Sequence, residues 1–209
     1  MNITVIGTGN MGSAFVTCLS KAGHRVTVTG RELEQAEELA AAHKGVSAAP
    51  VAQALGSNQV IVLATGHADA IDALKSLGDV RGKVVIDITN PLTADYMGLA
   101  IGHNTSSAEE IVKAVPGIEL VKGFNTLFAE VLLQGPKFPG GQVAPVFLAS
   151  DSERARQTAK ALAESMGFGT IDAGELRNAR YLEPLGGLNI YLRYGAGLGT
   201  QIAPTWIRR

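Results

Sequence analysis

Short apolar runs alternate with longer stretches of mixed character along most of the chain. Runs rich in Val, Ile and Leu occur at residues 3–6, 59–64 and 83–89. Between them, apolar residues recur at the three- and four-residue spacing of a helix that is buried on one side. Because strands covered on both faces form unbroken apolar runs, this alternation predicts an α/β fold with a Rossmann-type doubly wound parallel sheet.

The first half of the chain predicts a regular succession of strands and helices. Its first helix carries apolar residues at helical spacing, namely Met11, Ala14, Phe15, Cys18 and Leu19. Pro50 suits the first turn of a short helix through residue 55. In chain order we predict strands at residues 3–6, 24–29, 59–64 and 83–89, and helices at 10–22, 31–44, 50–55 and 67–77.

The second half predicts an irregular connection followed by a smaller unit. Residues 90–104 have little regular pattern, and Ser107 with Glu110 indicates a capping box that opens a helix through residue 115. A strand follows at 120–124. The Gly- and Pro-rich stretch 135–141 predicts a boundary between a nucleotide-binding domain, residues 1–140, and a small C-terminal α/β lobe, residues 141–209.

Within that lobe the pattern predicts two strands and two helices. Strands are expected at residues 144–149 and 170–172, and Asp151 is expected to cap a helix through residue 166. A long helical stretch begins near residue 175 and continues to about 199. We expect Pro184 and the Gly186-Gly187 pair to interrupt it.

Composition excludes several classes of protein. With 209 residues, 46% hydrophobic and 18% charged, the chain is expected to bury a substantial core. A formal net charge of −1 gives no reason to expect nucleic acid or an anionic membrane as partner. No apolar run approaches the roughly 20 residues of a membrane span and no leader pattern is present, so we expect a soluble cytoplasmic protein.

The candidate chemistry begins at the first turn, Gly7-Thr8-Gly9-Asn10-Met11-Gly12. Gly7 permits a sharp turn after the strand, Gly9 permits close approach of a pyrophosphate, and Gly12 permits the helix to pack on the strand. The free N–H groups at the helix start then face the phosphates. We predict that these six residues bind a dinucleotide.

The end of the second predicted strand indicates which dinucleotide. In such folds an Asp or Glu roughly 20 residues past the glycine motif binds the ribose hydroxyls. This chain instead has Thr29-Gly30-Arg31, and a guanidinium forms charge-assisted hydrogen bonds with phosphate. The residues therefore predict NADP(H) rather than NAD(H).

Several motifs together resemble a known family. They are VIGTGNMG at residues 5–12, TGR at 29–31, VLATGHADAI at 62–71, DITNPL at 87–92, VKGFNTLFAEVL at 121–132 and LEPLGGLNIYL at 182–192. They resemble the NADPH-dependent oxidoreductases that reduce the deazaflavin coenzyme F-420. The cytosolic NADPH-binding domain of six-transmembrane ferric reductases is similar too, and the resemblance covers nearly the whole chain.

The resemblance implies the rest of the site. The loop Ala64-Thr65-Gly66-His67 is expected to pass the nicotinamide end of the cofactor, although many members carry a proline and a large residue where this chain has Gly66-His67. Asn90 and Pro91 complete the cofactor site. Asn125, Thr126 and Leu127 are expected to contact the substrate. The family likeness also implies a homodimer.

The function implied is hydride transfer between NADPH and a small-molecule acceptor, a deazaflavin or a flavin. Because both cofactors carry the chemistry, no catalytic side chain or metal is required. One alternative is an NADPH-dependent flavin or ferric reductase, and another, from a different class, is a non-catalytic NADPH-binding redox sensor. An imine or β-hydroxyacid reductase is a further alternative, but the hydroxyacid enzymes use a lysine after the nucleotide domain, and this chain has none after Lys160.

A few residues admit two interpretations. His67 either hydrogen-bonds the cofactor or only begins a helix. Positive charge in the tail favours solvated helix faces over a surface for an acidic side arm of the substrate. The residues concerned are Arg177, Arg180, Arg193, Arg208 and Arg209. An apolar stripe in the last helix predicts core or dimer contact, and it comprises Tyr181, Leu185, Leu188, Tyr191 and Leu192.

Overall fold

The computed structural model describes residues 1–206 and contains one eight-stranded sheet, which confirms the predicted Rossmann-type fold. The spatial order of the strands is β3-β2-β1-β4-β5-β6-β7-β8. The strands are β1 (Asn2–Ile6), β2 (Arg25–Thr29), β3 (Val46–Ala48), β4 (Val60–Leu63), β5 (Val84–Asp87), β6 (Glu119–Gly123), β7 (Val146–Ala149) and β8 (Thr170–Asp172).

Helices connect these strands and cover the sheet. They are α1 (Asn10–Lys21), α2 (Leu33–Ala41), α3 (Ala70–Ser76), α4 (Ser107–Ala114), α5 (Ala129–Gln134), α6 (Glu153–Ser165) and α7 (Ala179–Tyr194). Single turns of 3₁₀ helix lie at Val51–Gln53, His67–Asp69 and Leu176–Asn178. Within residues 1–206, no helix is long and apolar enough to cross a lipid bilayer.

The sheet contains the point at which the strand order reverses. β1 pairs in parallel with β2 on one side and with β4 on the other. The chain leaves β1 and β4 in different directions, and this geometry opens a crevice at their carboxyl ends. The loops that follow β1, β2 and β4 therefore meet at one edge of the sheet.

Alternate residues of the central strands enter two separate cores. Val60 and Val62 face a core that α1 and α6 cover, whereas Ile61 and Leu63 face a second core that α3 and α4 cover. All four side chains are buried. This two-sided burial explains why the strands appear as unbroken apolar runs in the sequence.

Two predicted helix caps are displaced by one residue. α4 is capped by Ser106, whose hydroxyl accepts from the backbone N–H of Glu109 at 3.2 Å, so the capping box at Ser107 and Glu110 was wrong. The Ser107 hydroxyl instead contacts a histidine ring. α6 is capped by Ser152, and the predicted cap Asp151 accepts from the backbone N–H of Leu176 at 2.9 Å.

The last helix differs most from its prediction. α7 runs without interruption through Pro184 and the Gly186-Gly187 pair and ends at Tyr194. Tertiary contacts outweigh the low helix propensity of these residues. The helix predicted at residues 50–55 is only the 3₁₀ turn Val51–Gln53, and Pro50 precedes that turn.

The sheet continues past residue 140. β7 pairs with β6 in antiparallel direction, through Lys122 opposite Ala149 and Gly123 opposite Leu148. β8 then pairs in parallel with β7. The division into residues 1–140 and 141–209 stays a prediction, and the hydrogen-bonded sheet extends across it.

Candidate cofactor and acceptor site

The turn after β1 has the close packing that its glycines predict. Gly7 has a φ of +121°, and a Cβ there would lie 2.2 Å from the carbonyl oxygen of Ala64. A Cβ on Gly12 would lie 1.9 Å from the carbonyl oxygen of Gly7. Both glycines are therefore required by the protein's own packing.

Gly9 is different, because no contact within residues 1–206 requires a glycine at this position. A Cβ on Gly9 would meet nothing within 4 Å, and its backbone, at φ −72° and ψ −173°, is open to any residue. It caps α1 without a side-chain hydrogen bond, so the first N–H groups of the helix have no side-chain cap. Backbone N–H groups at an open helix N-terminus suit the phosphates of a dinucleotide.

A cavity of about 750 Å³ lies beside this turn. It lies between the loops that follow β1, β2 and β4, where the strand order predicts a ligand. The predicted cofactor residues that line it are Gly7, Thr8, Gly9, Gly30, Arg31, Ala64, Thr65 and Gly66. Its volume is that of a typical ligand pocket.

Arg31 lies at the open side of this cavity with 88% of its side chain exposed. Its guanidinium is 3.9 Å from the Asp69 carboxylate across the cavity. The Thr8 hydroxyl donates to the side-chain oxygen of Gln35 at 3.0 Å, and both residues line the same wall. Thr29 is fully buried and does not line the cavity, and its hydroxyl has no hydrogen-bond partner in the described structure.

The loop after β4 places His67 away from the cavity. The His67 ring Nδ1 lies 2.7 Å from the hydroxyl of Ser107, and the residue begins the 3₁₀ turn His67–Asp69. This contact ties the loop to the start of α4. The structure thus supplies a structural role for His67, and a cofactor contact stays a prediction.

A second cavity, of about 200 Å³, lies on the other side of the α1 N-terminus. It is bounded by the loops after β5 and β6 and by α7. The predicted site residues that line it are Asn10, Met11, Asn90, Asn125, Thr126 and Leu127. Gly12 and Pro91 are buried and line neither cavity. Ligand contacts of all these residues stay predictions.

Two asparagines join the loops around the smaller cavity. Asn125 donates from its amide nitrogen to the carbonyl oxygen of Leu182 at 2.8 Å and to the side-chain oxygen of Asn90 at 2.9 Å. Asn90 in turn donates to the backbone oxygen of Asn125 at 2.8 Å. Because backbone carbonyls only accept, these bonds fix both amide orientations. The buried Asn125 Oδ1 and the Thr126 hydroxyl have no protein partner in residues 1–206.

Beneath this cavity lies a buried ionic cluster that the sequence interpretation missed. The Lys122 ammonium lies 2.7 Å from Asp87, 2.9 Å from Glu183 and 2.7 Å from the carbonyl oxygen of Thr89. The three charged side chains are at most 2% exposed. The signal in the sequence was Lys122 within the predicted strand 120–124. A lysine that is buried in a sheet requires an opposite charge nearby.

A helix terminus offsets part of the excess negative charge of the cluster. Glu183 accepts from the backbone N–H groups of Ser107 and Ala108 at 2.9 and 3.1 Å, at the positive end of α4. Burial by itself lowers the pKa of the Lys122 ammonium, but the carboxylates of Asp87 and Glu183 outweigh burial and raise the pKa above its ordinary value. Lys122 is therefore charged and joins β5, β6 and α7.

The tail arginines separate into paired and unpaired residues. Arg177 pairs with Glu175 on the surface, and Arg180 forms a two-pronged contact with Glu109. Arg193 is half-buried and lines the smaller cavity, and the choice between its two interpretations stays a prediction. Arg208 and Arg209 lie outside the described residues.

Comparison with known proteins identifies this architecture. Residues 2–91 match the family model described as NADP oxidoreductase coenzyme F420-dependent. The matched segment runs from β1 through the loop after β5. It contains the glycine turn and all of the predicted cofactor residues.

Curated relatives cover more of this chain. Metalloreductase STEAP3 of Rattus norvegicus is 28% identical over 184 residues, and Metalloreductase STEAP2 of Homo sapiens is 29% identical over 189 residues; each match covers 88% of this chain. The chain corresponds to only 36% of the length of either relative.

A solved structure matches nearly the whole chain. It is that of a candidate F420-dependent NADP reductase from Arthrobacter sp. FB24, with a TM-score of 0.86, 28% identity and 99% coverage of both chains. The predicted resemblance is therefore confirmed: residues 2–91 match the model of the coenzyme F420-dependent NADP oxidoreductase family, and over most of its length the chain is similar to the STEAP metalloreductases and to the Arthrobacter structure.

Proposed function

We propose that the chain transfers a hydride between NADPH and a deazaflavin or flavin-type acceptor. The observation that carries the proposal is the position of one turn between two cavities. Thr8 and Gly9 line the larger cavity, and Asn10 and Met11 line the smaller one. A dinucleotide with its phosphates on the N-terminus of α1 reaches from the first cavity toward the second.

The residues of this chain bind and orient the nucleotide. The N–H groups at the start of α1 hold the pyrophosphate, and Arg31 holds the 2′-phosphate of the adenosine ribose. NADPH, when bound, supplies the hydride. Because Arg31 replaces the acidic residue that selects NAD(H) in such folds, the site favours NADP(H).

The smaller cavity excludes water from the reacting end. Ile88, Leu127 and Phe128 are buried apolar residues that line it. The Asn125 Oδ1 and the Thr126 hydroxyl, which have no partner among residues 1–206, add polar groups. Such a cavity suits a flat, largely apolar ring system with a few hydrogen-bonding atoms.

A flavin or ferric reductase is the second candidate. The likeness of this chain to proteins named metalloreductases favours it. In that case a flavin accepts the hydride in the smaller cavity and passes electrons to a ferric substrate.

The deciding experiment follows NADPH absorbance with deazaflavin, FMN, FAD and a ferric chelate as parallel acceptors. Turnover with deazaflavin alone supports the deazaflavin function. Turnover only with flavins, alone or mixed with ferric chelate, supports the second candidate. Tight NADPH binding without turnover of any acceptor contradicts both and favours a redox sensor.

A further inference from the structure

Arg193 is a charged side chain at the smaller cavity to which no role has yet been assigned. It lies in the last turn of α7 and is half-buried. Its guanidinium carbon lies 4.2 Å from the ring centroid of Tyr194 and 5.5 Å from that of Phe128. These contacts hold the guanidinium against aromatic faces at the cavity.

Arg193 differs from Arg177 and Arg180 in its charge environment. Arg177 and Arg180 are neutralised by Glu175 and Glu109. In the part of the chain that the structure describes, Arg193 has no carboxylate within salt-bridge distance. Glu130 also lines the cavity but forms no ion pair with it. A guanidinium that stands at a cavity without a counter-charge is available to pair with an anionic group of a ligand.

The size of the cavity indicates which part of an acceptor would meet this charge. At about 200 Å³ it is smaller than ordinary ligand pockets of about 300 to 1,000 Å³. It therefore encloses only part of a flavin-sized molecule, and the remainder extends past the partly exposed residues at its edge. Arg193 is one of these.

We infer that Arg193 recognises an anionic group, a phosphate or a carboxylate, on the side arm of the acceptor. This inference rests on the proposed function, which places the acceptor ring in the smaller cavity. The planar fork of N–H donors matches the paired oxygens of either anion. Arg193 thereby selects charged acceptors over neutral ones that carry the same ring.

FMN and riboflavin test this inference, because they share one ring and differ by a single phosphate. Dissociation constants are measured by quenching of flavin fluorescence on protein saturated with NADP⁺. We expect the wild-type chain to bind FMN about tenfold or more tightly than riboflavin. In Arg193→Leu the two constants become nearly equal, because FMN binding weakens while riboflavin binding does not change.

Two further variants separate recognition from structural effects. Arg193→Lys retains the charge but loses the fork, so it should keep an intermediate preference for FMN. Arg177→Leu removes an arginine in the 3₁₀ turn before α7, outside the cavity, and should leave the preference unchanged. If Arg193→Leu weakens the binding of FMN and riboflavin equally, the role of Arg193 is merely structural and the inference is overturned. If Arg193→Leu keeps the preference for FMN, the inference is overturned as well.

The binding assay also separates this inference from the proposed function. If FMN binds preferentially through Arg193 but NADPH is oxidised by none of the four acceptors, the proposed function fails and the recognition of an anionic side arm by Arg193 stands. If NADPH is oxidised with both flavins and the wild-type chain shows no preference, the inference fails alone. If neither flavin binds, the flavin class of acceptor is wrong and the inference falls with it.

Discussion

Single residues of the glycine turn have distinct physical roles. At Gly7 and Gly12 an added Cβ would collide with backbone, so these positions serve folding. At Gly9 the Cβ position is empty and the backbone is extended, so folding does not require glycine there. Gly9 is the position at which a small substitution should affect the ligand alone.

We predict that Gly9→Ser weakens NADPH binding by about tenfold or more without loss of stability. The side chain intrudes into the phosphate cradle, while serine is at least as good a helix cap as glycine. Titration calorimetry with NADPH and thermal unfolding measure the two effects. Gly12→Ala is the contrasting variant and should be clearly destabilised. A Gly9→Ser protein with unchanged NADPH affinity would refute the cradle.

Arg31 gives the second prediction at this scale. Arg31→Ala should lower NADPH affinity at least about tenfold and leave NADH affinity nearly unchanged, because only NADPH carries the 2′-phosphate. Its exposure makes an effect on folding small. Arg25→Ala, at the amino end of β2, the strand that precedes Arg31, is the matched control. Equal loss of NADPH and NADH affinity would contradict the assignment.

Among the secondary-structure elements, α7 contributes most residues to the lining of the smaller cavity. A Cβ on Gly186 would lie 2.5 Å from the side-chain oxygen of Asn90 and 2.9 Å from the backbone oxygen of Asn125. One turn later, Asn189 donates to the backbone oxygen of Thr126 at 3.0 Å. The missing side chain at Gly186 therefore permits α7 to approach the loops after β5 and β6.

Two adjacent glycines of α7 supply a matched test. Gly186→Ala should destabilise the chain by about 1–3 kcal/mol through overpacking and should raise the KM for the acceptor. The Cβ of Gly187→Ala meets the side chains of Leu99 at 3.3 Å and Leu92 at 3.8 Å but no backbone, and the variant gains helix propensity, so it should retain normal stability and KM. Thermal unfolding and acceptor kinetics measure both variants. Equal behaviour of the two would show that the close approach at Gly186 is unimportant.

At the scale of the whole molecule, the buried cluster of Lys122, Asp87 and Glu183 links the sheet to the C-terminal helix. Lys122→Met leaves two carboxylates buried without a cation, and we expect a loss of about 3–5 kcal/mol in the free energy of unfolding. Lys113→Met, which breaks an exposed pair with Glu110, should cost under about 1 kcal/mol. Chemical denaturation measures both. A loss below 1 kcal/mol in Lys122→Met would contradict the role of the cluster.

The homodimer implied by the family resemblance also belongs to this scale. Tyr181, Leu188 and Tyr191 lie along one side of α7 and are exposed in the single chain, so they are not core residues as one interpretation held. We propose that this side of α7 forms the dimer contact. Light scattering should show a dimer that Leu188→Glu converts to monomer. Leu133→Glu, at an exposed leucine of α5, should leave the dimer intact, and a monomeric wild-type chain would disprove the proposal.

The sequence by itself determined the class of fold and the position of the glycine turn. Strands buried on both faces require continuous apolar runs, and a turn such as Gly7 to Gly12 depends on local backbone conformation, so both leave a local signal. Thr29-Gly30-Arg31 was likewise located by its distance from that turn. Arg31, Gly7 and Gly9 line one cavity, and their contacts with a nucleotide stay predictions.

Only the tertiary structure decided the smaller cavity and the course of the last helix. Lys122 and Glu183 are 61 residues apart in the sequence numbering, yet their side chains lie 2.9 Å apart, and no local pattern encodes such a contact. Pro184 and Gly186 indicate a helix break locally, but burial against Asn90 and Asn125 outweighs their low propensity. Local backbone preference thus fixed the nucleotide turn, whereas contacts between distant segments fixed the site where the acceptor is proposed to bind.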